Sequence, residues 1–460
     1  MVFIGREEEQ KAINRLLSQK GYRGCILYGR RRRGKTELVR HTLSDKGVPL
    51  ILYQCKESSE RDNVSLISKR IQKELNLPNV LFNSFFDAVE FLFDYSLDRP
   101  IYLVLDEYPY IRSVIEGCDS KLQAIIDRYA RKSNLKLFVL GSSIATREDV
   151  LSHENPLYRR FHLSILLQQR DYFDSAKFYP AFGLEDKVRL YSAFGGVPFY
   201  NAQIDANKSV KENIVSLLSG RFSGLREFLE TYLKQELRKV NRANLVFDSI
   251  ALGAFHYQDI LSKSHIDSSP RLSAILQKLV KRNLIEYVAP INKPTDKKKS
   301  GYRISDACVR FYYRYLYRNE SALNRFDDDV FYDRYVSKDF ERTIVPATFE
   351  TITKQFLIRK NRKGRLNPSL LDIGTYWYDN PKEKKNGQFD VVGKCQNGYV
   401  FFECKYTNAP INDQVISEEL EQISCTTLAP IQYGFASKNG FDLKKEYPYL
   451  FFTLEDRYKE

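Results

Sequence analysis

The chain has 460 residues, 43% of them hydrophobic, enough for roughly two to four globular domains with a core each. Its 72 Lys and Arg outnumber 58 Asp and Glu, and the net charge of +14 attracts polyanions such as nucleic acid, although solvated surface lysines give the same count. The seven cysteines are scattered, with no CxxC pair and no histidines at zinc-ligand spacing, and no apolar run approaches the ~20 residues of a membrane span. These features exclude a disulfide scaffold, a zinc module and a membrane partner. With an amino terminus, MVFIGREEEQ, that turns acidic at once, the expectation is a cytoplasmic protein with reduced thiols.

The first strong signal lies at residues 24–43, GCILYGRRRRGKTELVRHTL. A predicted strand at residues 25–28 runs into Gly29, Arg30, Arg31, Arg32, Arg33, Gly34, Lys35, Thr36 and Glu37 and then into a helix. This is the full GxxxxGK[ST] pattern in its strand-loop-helix setting, so these nine residues are the expected nucleotide-binding set. The glycines let successive N–H groups face phosphates, and the helix N-terminus adds its positive end. Lys35 is expected on the β- and γ-phosphates of ATP, and Thr36 on Mg2+.

A second apolar strand at residues 101–105 follows Pro100 and ends in Asp106 and Glu107. A carboxylate at such a strand end holds magnesium, and the next can polarise the attacking water, which gives Asp106 the metal role and Glu107 the catalytic one. A third strand at residues 136–140 ends in Gly141, Ser142 and Ser143, which would set a hydroxyl near the γ-phosphate or merely cap a turn. Strand-helix alternation through residue 143 predicts an α/β fold with a parallel sheet covered on both faces. Its ligand is expected at the carboxyl ends of the strands.

Together FIGREEEQ, YGRRRRGKTEL, LVLDEYPYI, LGSS, NPLYRR and GGVPFY resemble the archaeal-type ATPase family, STAND-class relatives of AAA+ proteins, over roughly the first half of the chain. The resemblance implies a sensor at Ser142 or Ser143, a γ-phosphate-sensing arginine at Arg159 or Arg160, and a lid segment at Gly196, Val197 and Pro198. The family tends to carry an apolar residue just before the second glycine, where this chain has Arg33.

Residues 208–240 show helical apolar spacing, and residues 246–305 have the outline of a winged helix. Ser269 can cap a helix opened by Pro270, with Leu272, Ile275, Leu276 and Leu279 on one face. A strand at 284–288, a basic loop and a returning strand at 301–305 would form the wing. Arg271, Lys278, Lys281 and Arg282, with Lys297, Lys298 and Lys299 at the wing tip, suit DNA phosphates; a docking module would look the same. Arg310, Arg314 and Arg318 recur every four residues among Phe311, Tyr312, Tyr313 and Tyr315, which fits either nucleic acid or an amphipathic packing helix.

Towards the carboxyl end, Asn397-Gly398 is a two-residue hairpin signal. With that loop, Asp390 would oppose Lys405 and share a face with Glu403, while Phe389, Val391, Phe402 and Cys404 would form the apolar face. Asp390 and Glu403 could hold Mg2+ or Mn2+, with Lys405 assisting a water that attacks a phosphodiester. The hairpin resembles the PD-(D/E)xK nuclease pattern, and on that resemblance Glu350, on a preceding helix, is the further acid of the site. The family commonly has an acidic residue where Gln388 stands, so an active site, a degenerate scaffold and an ordinary cross-strand ladder all stay open. The run Arg359, Lys360, Arg362, Lys363 and Arg365 could grip a phosphate backbone.

The expected architecture is multidomain α/β. It comprises a P-loop ATPase core at 1–175, a helical lid at 176–240, a winged helix at 241–325 and a restriction-endonuclease-like domain at 326–460. The expected function is an ATPase coupling nucleotide state to nucleic-acid binding, DNA rather than RNA, and to metal-dependent cleavage. The alternative is an ATP-driven regulator with a degenerate terminal domain. A homo-oligomer fits either.

Overall fold

Strands covered by helices on both faces need apolar side chains at successive positions, and IYLVLD and LKLFVLG meet that need. In the computed structural model, which describes residues 3–44, 46–142, 150–238, 240–380 and 385–459, both runs are buried throughout. Ser143 lies outside the described residues. The chain divides into two compact units, Met1–Gln169 and Arg170–Glu460.

The first unit runs α1 (Glu7–Leu17), β1 (Arg23–Tyr28), α2 (Lys35–Leu43), β2 (Leu50–Gln54), α3 (Glu60–Leu75), α4 (Phe85–Tyr95), β3 (Ile101–Asp106), α5 (Tyr108–Val114), α6 (Cys118–Tyr129), β4 (Leu135–Gly141) and β5 (Leu163–Leu166). Its five strands are parallel in the order β2-β3-β4-β1-β5. Alternation along the strands splits the core. Cys25, Leu27, Tyr102, Val104, Phe138 and Leu140 meet α1 and α2, while Ile26, Leu103, Leu105, Leu137 and Val139 meet α3, α4 and α6. Since β4 lies between β1 and β3, the loops after these three strands open side by side at one edge of the sheet.

In the second unit, helices Ala243–Ala251, Tyr257–Ser264 and Ser269–Lys281 precede the antiparallel pair β6 (Ile285–Val288) and β7 (Gly301–Ile304). Leu272, Ile275, Leu276 and Leu279 are buried as their spacing predicts, but the cap is Ser268, and Ser269 is the first helical residue. The Val345–Arg362 helix then leads into a mixed sheet ordered β14-β12-β10-β9-β8. Its strands are β8 (Asp372–Asn380), β9 (Lys385–Lys394), β10 (Tyr399–Lys405), β12 (Pro430–Ser437) and β14 (Leu450–Phe452); β11 (Ile411–Asn412) and β13 (Phe441–Asp442) pair apart from it. β8, β9 and β10 form an antiparallel meander, and β10, β12 and β14 run parallel. One hydrophobic cluster reaches from Tyr172 to Leu454 and joins helices, hairpin and sheet.

The β9–β10 hairpin differs from the expected register. Lys394 pairs with Tyr399 and Val391 with Phe402, and Cys395 N–H donates to Gly398 O at 2.8 Å, so the loop spans 395–398. Continued by one step, this register sets Asp390 against Glu403 rather than Lys405. The faces also change. Gly374 pairs with Val392 and Tyr376 with Phe389, leaving Asp390 and Val391 opposite Thr375 alone, a β-bulge. Phe389 therefore joins Tyr376, Phe401 and Val392 on one face, while Val391 and Phe402 pack on the other.

The GGVP segment has a packing cause. A Cβ on Gly196 would stand 1.8 Å from Arg170 O, and Arg170 N–H donates to Gly196 O at 2.8 Å. Only glycine permits that approach.

Candidate functional site

The loop between β1 and α2 wraps around the amino end of α2. Lys35, 6% exposed, donates from Nζ to Gly29 O at 2.8 Å and Arg30 O at 3.2 Å. Burial lowers its pKa to about 8 against the opposing pull of Glu107 and Asp106, which places both carboxylates near the ammonium. Thr36 Oγ1 donates to Asp106 Oδ2 at 2.7 Å across 70 residues of sequence. Glu107 follows with a left-handed backbone, φ 52°, its N–H on Asp106 Oδ1 at 3.0 Å; a non-glycine residue held there is a strained conformation of the kind found at functional sites. Ser142 directly follows Gly141, whose carbonyl accepts Gly29 N–H at 3.3 Å, so it stands beside the start of the loop. A hydroxyl and a carboxylate side by side, next to a buried ammonium, are hard oxygen donors that fit Mg2+ beside a polyphosphate.

The four arginines have separate surroundings. Arg33, buried, donates to Leu167 O at 3.3 Å and Gln168 Oε1 at 3.1 Å, so the residue that departs from the family pattern pins the loop to the segment after β5. Arg31 Nη2 donates to Tyr110 OH at 2.6 Å; Arg30 is buried, and Arg32 is exposed with φ 67°. Glu37 is exposed and pairs with Arg40 at 2.8 Å. Sequence reasoning misses Arg6. Buried and with φ 70°, it donates to Gln168 O at 2.5 Å and Arg33 O at 3.5 Å, clasping the loop from α1; its only signal is a lone Gly-Arg before an acidic helix start.

Arg159 and Arg160 require a correction. Arg160 chelates Asp127 at 2.9 and 3.1 Å, its carbonyl accepts Tyr22 OH, and it approaches Gly24 at the start of β1. The loop lies beyond the other end of the same six-residue strand, about 20 Å away at 3.3 Å per residue. Arg160 is thus committed to Asp127 at the opposite end of β1 from the loop, and Arg159 lies over the Tyr158 ring.

In the second unit, the Val345–Arg362 helix brings Glu350 to the β9–β10 face. Burial, then the Asp390 carboxylate, raises the Glu350 pKa to about 8. Lys405 pairs with Glu403, and Gln388, held by Trp377 Nε1 at 2.6 Å, donates its amide to Asp390 Oδ1. Arg303, from β7, stands 4.0 Å from Asp390, and Lys354 donates to Thr375 Oγ1 at 2.8 Å. Asp390 thus stands with Glu350 and Arg303, while Glu403 pairs with Lys405. Sequence reasoning misses Glu419, on the Asp413–Ser424 helix: it is buried, and its pKa rises to about 8 through burial and then Glu403. Its apolar neighbours Ile416 and Ile423 make it look like one more surface charge on an amphipathic helix.

These oxygens suit Mg2+ or Mn2+ by type, but among the described residues no group of three or more acids, histidines or cysteines is assembled for one ion. Asp390 and Glu403 are instead engaged by Gln388, Arg303 and Lys405.

The basic surfaces divide. Arg310 donates to Ser192 O and Thr348 Oγ1, both at 3.3 Å; Arg314 chelates Asp339 at 2.5 and 2.7 Å; Arg318 holds Asp248. That stripe serves packing. Arg271 pairs with Asp267 at 3.0 Å, Arg282 donates to Glu236 O at 2.6 Å, and Lys299 reaches Trp377 O at 3.4 Å, whereas Lys278, Lys281, Lys297 and Lys298 are exposed. All seven cysteines are thiols outside any disulfide, and among the described residues no helix is long and apolar enough to cross a membrane.

The parallel sheet and its loop give the first unit the fold of P-loop ATPases, and the second unit adds a separate carboxy-terminal mixed sheet. The chain is similar to the Walker-type ATPase of Pyrococcus abyssi, at 20% identity with a TM-score of 0.53, over 68% of this chain and 96% of that one. It is also similar to the Aeropyrum pernix ORC2 protein solved as ADPNP–ADP complexes, at 12% identity and a TM-score of 0.44, over 70% of this chain and 94% of that one. An uncharacterised protein of Methanocaldococcus jannaschii is 26% identical over 387 residues, 82% of each chain. The DUF234 family, archaeal and bacterial proteins of unknown function, matches residues 312–423, a segment containing Glu350, Asp390, Glu403, Lys405 and Glu419. The Pyrococcus abyssi likeness agrees with the P-loop ATPase fold that the motifs imply.

Proposed function

We propose that this protein binds ATP with Mg2+ and hydrolyses it, and that nucleotide state governs how its second unit engages DNA. The observation that carries the reading is the Thr36–Asp106 contact of 2.7 Å beside buried Lys35. Thr36 and Asp106 would hold the magnesium, which supplies charge neutralisation at the phosphates. Lys35 binds and orients the phosphates through its ammonium, Glu107 accepts a proton from the attacking water, and Ser142 donates a hydrogen bond to the γ-phosphate. Exposed Lys278, Lys281, Lys297 and Lys298 support DNA as the polyanion.

For the terminal cluster two readings compete. The influence of Asp390 and then Glu403 on Glu350, with Lys405 on Glu403, favours metal-dependent DNA cleavage. The Gln388 amide on Asp390 and the Lys405 ammonium on Glu403 favour a non-cutting regulator, because each occupies an oxygen that a metal would need. The deciding experiment incubates linear, circular and single-stranded DNA with Mg2+ or Mn2+, with and without ATP, for the unaltered protein, Lys35→Ala and Asp390→Ala. Cutting lost in Asp390→Ala supports the nuclease, and its loss in Lys35→Ala would make it ATP-driven. Intact ATP hydrolysis without cutting supports the regulator, and ATP hydrolysis unchanged in Lys35→Ala would sink the P-loop assignment.

A further inference from the structure

The last described helix, Leu454–Tyr458, meets the Val345–Arg362 helix through Arg457, and residues of both line a cavity of about 190 Å³. Six cations line it: Arg359, Lys360, Lys363, Arg365, Arg457 and Lys459. The one carboxylate in the lining, Asp456, is committed as a cap, accepting Thr453 N–H at 2.8 Å and Thr453 Oγ1–H at 2.9 Å. Arg359 pairs with Asp171 at 2.8 Å and lies 4.3 Å from the centre of the Phe173 ring.

The floor of the cavity is the decisive feature. Arg457 is 1% exposed, and its guanidinium contacts the carbonyls of Phe452 and Thr453, Thr353 Oγ1 at 3.0 Å, and the faces of Phe349 and Phe356. Its Nε has no hydrogen-bond partner, and among the described residues it has no carboxylate partner. A buried guanidinium without a counter-ion costs several kcal/mol, and unpaired buried donors are rare in folded chains. Neutralising the adjacent helix end does not account for it, since Lys360, Lys363 and Arg365 already sit at that end while Arg457 comes from another helix.

We infer that this cavity receives a phosphate group, as a mono- or diester. Guanidinium and ammonium donors converging from two helices and a loop match its several oxygens, and the volume is below the ~300 Å³ at which clefts for larger organic ligands begin. None of Glu350, Asp390, Glu403 and Lys405 lines the cavity, so the inference does not depend on whether those residues cut.

The test uses the full chain in a Lys35→Ala background, which keeps the P-loop from contributing. Fluorescence anisotropy would follow a 3′-labelled single-stranded 12-mer with a 5′-phosphate or a 5′-hydroxyl, with inorganic phosphate and AMP as competitors. Lys363→Glu combined with Arg365→Glu alters exposed residues only, and Lys69→Glu with Lys73→Glu on α3 is the charge-matched control. The pocket pair should weaken probe binding about tenfold or more and make its salt dependence shallower by about two contacts, while the control pair changes it about twofold at most. Competition by inorganic phosphate or AMP that disappears in the pocket variant would identify a free phosphate ester as the ligand. A loss confined to the 12-mers would identify a polynucleotide, and a preference for the 5′-phosphate would identify its end. Equal binding by parent and pocket variant, or equal weakening by the control pair, overturns the inference.

Discussion

Replacing Glu350 by Gln tests whether its carboxylate meets Asp390 as described. Glu350 sits on the Val345–Arg362 helix facing Asp390, with Glu403 beyond, and burial together with those charges lifts its pKa from 4.5 to about 8. Below about pH 4.5 the folded and unfolded chains both carry the proton, and the group has no net effect. Between 4.5 and 8 the unfolded chain has lost the proton while the folded chain retains it, so stability falls as pH rises, and above 8 the penalty is complete. The shift of more than three units, at about 1.36 kcal/mol each, sets a ceiling of roughly 4 to 5 kcal/mol. Solvent screening of a group that is only partly buried brings the expectation down to about 2 kcal/mol. Glu350→Gln should therefore stabilise the second unit by about 2 kcal/mol at pH 8.5 and by little at pH 4.5. Trp377, the single tryptophan, lies in β8 beside the cluster, so urea unfolding followed by its fluorescence reads this unit. A gain of equal size at both pH values, or destabilisation that grows with pH, would refute the convergence of Glu350 on Asp390.

Lys35→Ala should lower ATP affinity at least about a hundredfold by calorimetry, because removing the ammonium leaves the phosphates without their buried counter-charge. Asp106→Asn should keep nucleotide affinity within about tenfold but slow hydrolysis about a hundredfold or more, so a parallel loss of both would contradict a transition-state role through magnesium. Asp339→Asn breaks the Arg314 chelate, which holds the Asp339 carboxyl at about 2, and should cost roughly 1 to 3 kcal/mol at pH 7 without changing DNA affinity. That stabilisation is present above the usual carboxylate pKa and is lost as pH falls through about 2, so variant and parent should converge only in strong acid. Gly196→Ala, whose Cβ would overlap Arg170 O, should destabilise the second unit by roughly 3 kcal/mol or more, and a soluble variant of normal melting temperature would contradict the packing.

What is legible in the sequence, and what is not, follows from how far each signal reaches along the chain. The P-loop is local. Strand, glycines, lysine and helix start are consecutive, and its partner Asp106 is announced by a strand of its own, so the Thr36–Asp106 contact can be expected from two short motifs. Arg159 and Arg160 stand out by resemblance alone, and no local signal shows that the segment runs past the start of β1, where Tyr22 and Asp127 engage Arg160. For Arg310, Arg314 and Arg318 the period of four is plain, yet periodicity does not reveal whether the facing surface is solvent or the carboxylates Asp248 and Asp339. The terminal hairpin shows the limit most clearly. Asn397-Gly398 marks a turn, but the closing pair is Lys394 with Tyr399, and a bulge at Asp390 and Val391 turns Phe389 to the opposite face. Because side chains alternate with period two, one unpaired residue reverses everything beyond it. The even shift of two leaves Glu403 and Lys405 on the side of Phe401, but the bulge that sends Phe389 to that side sets the adjacent Asp390 towards Glu350 instead. The acids that the hairpin motif groups together are therefore divided, Asp390 with Glu350 and Arg303 and Glu403 with Lys405 and Glu419, by a single unpaired residue that no local signal announces.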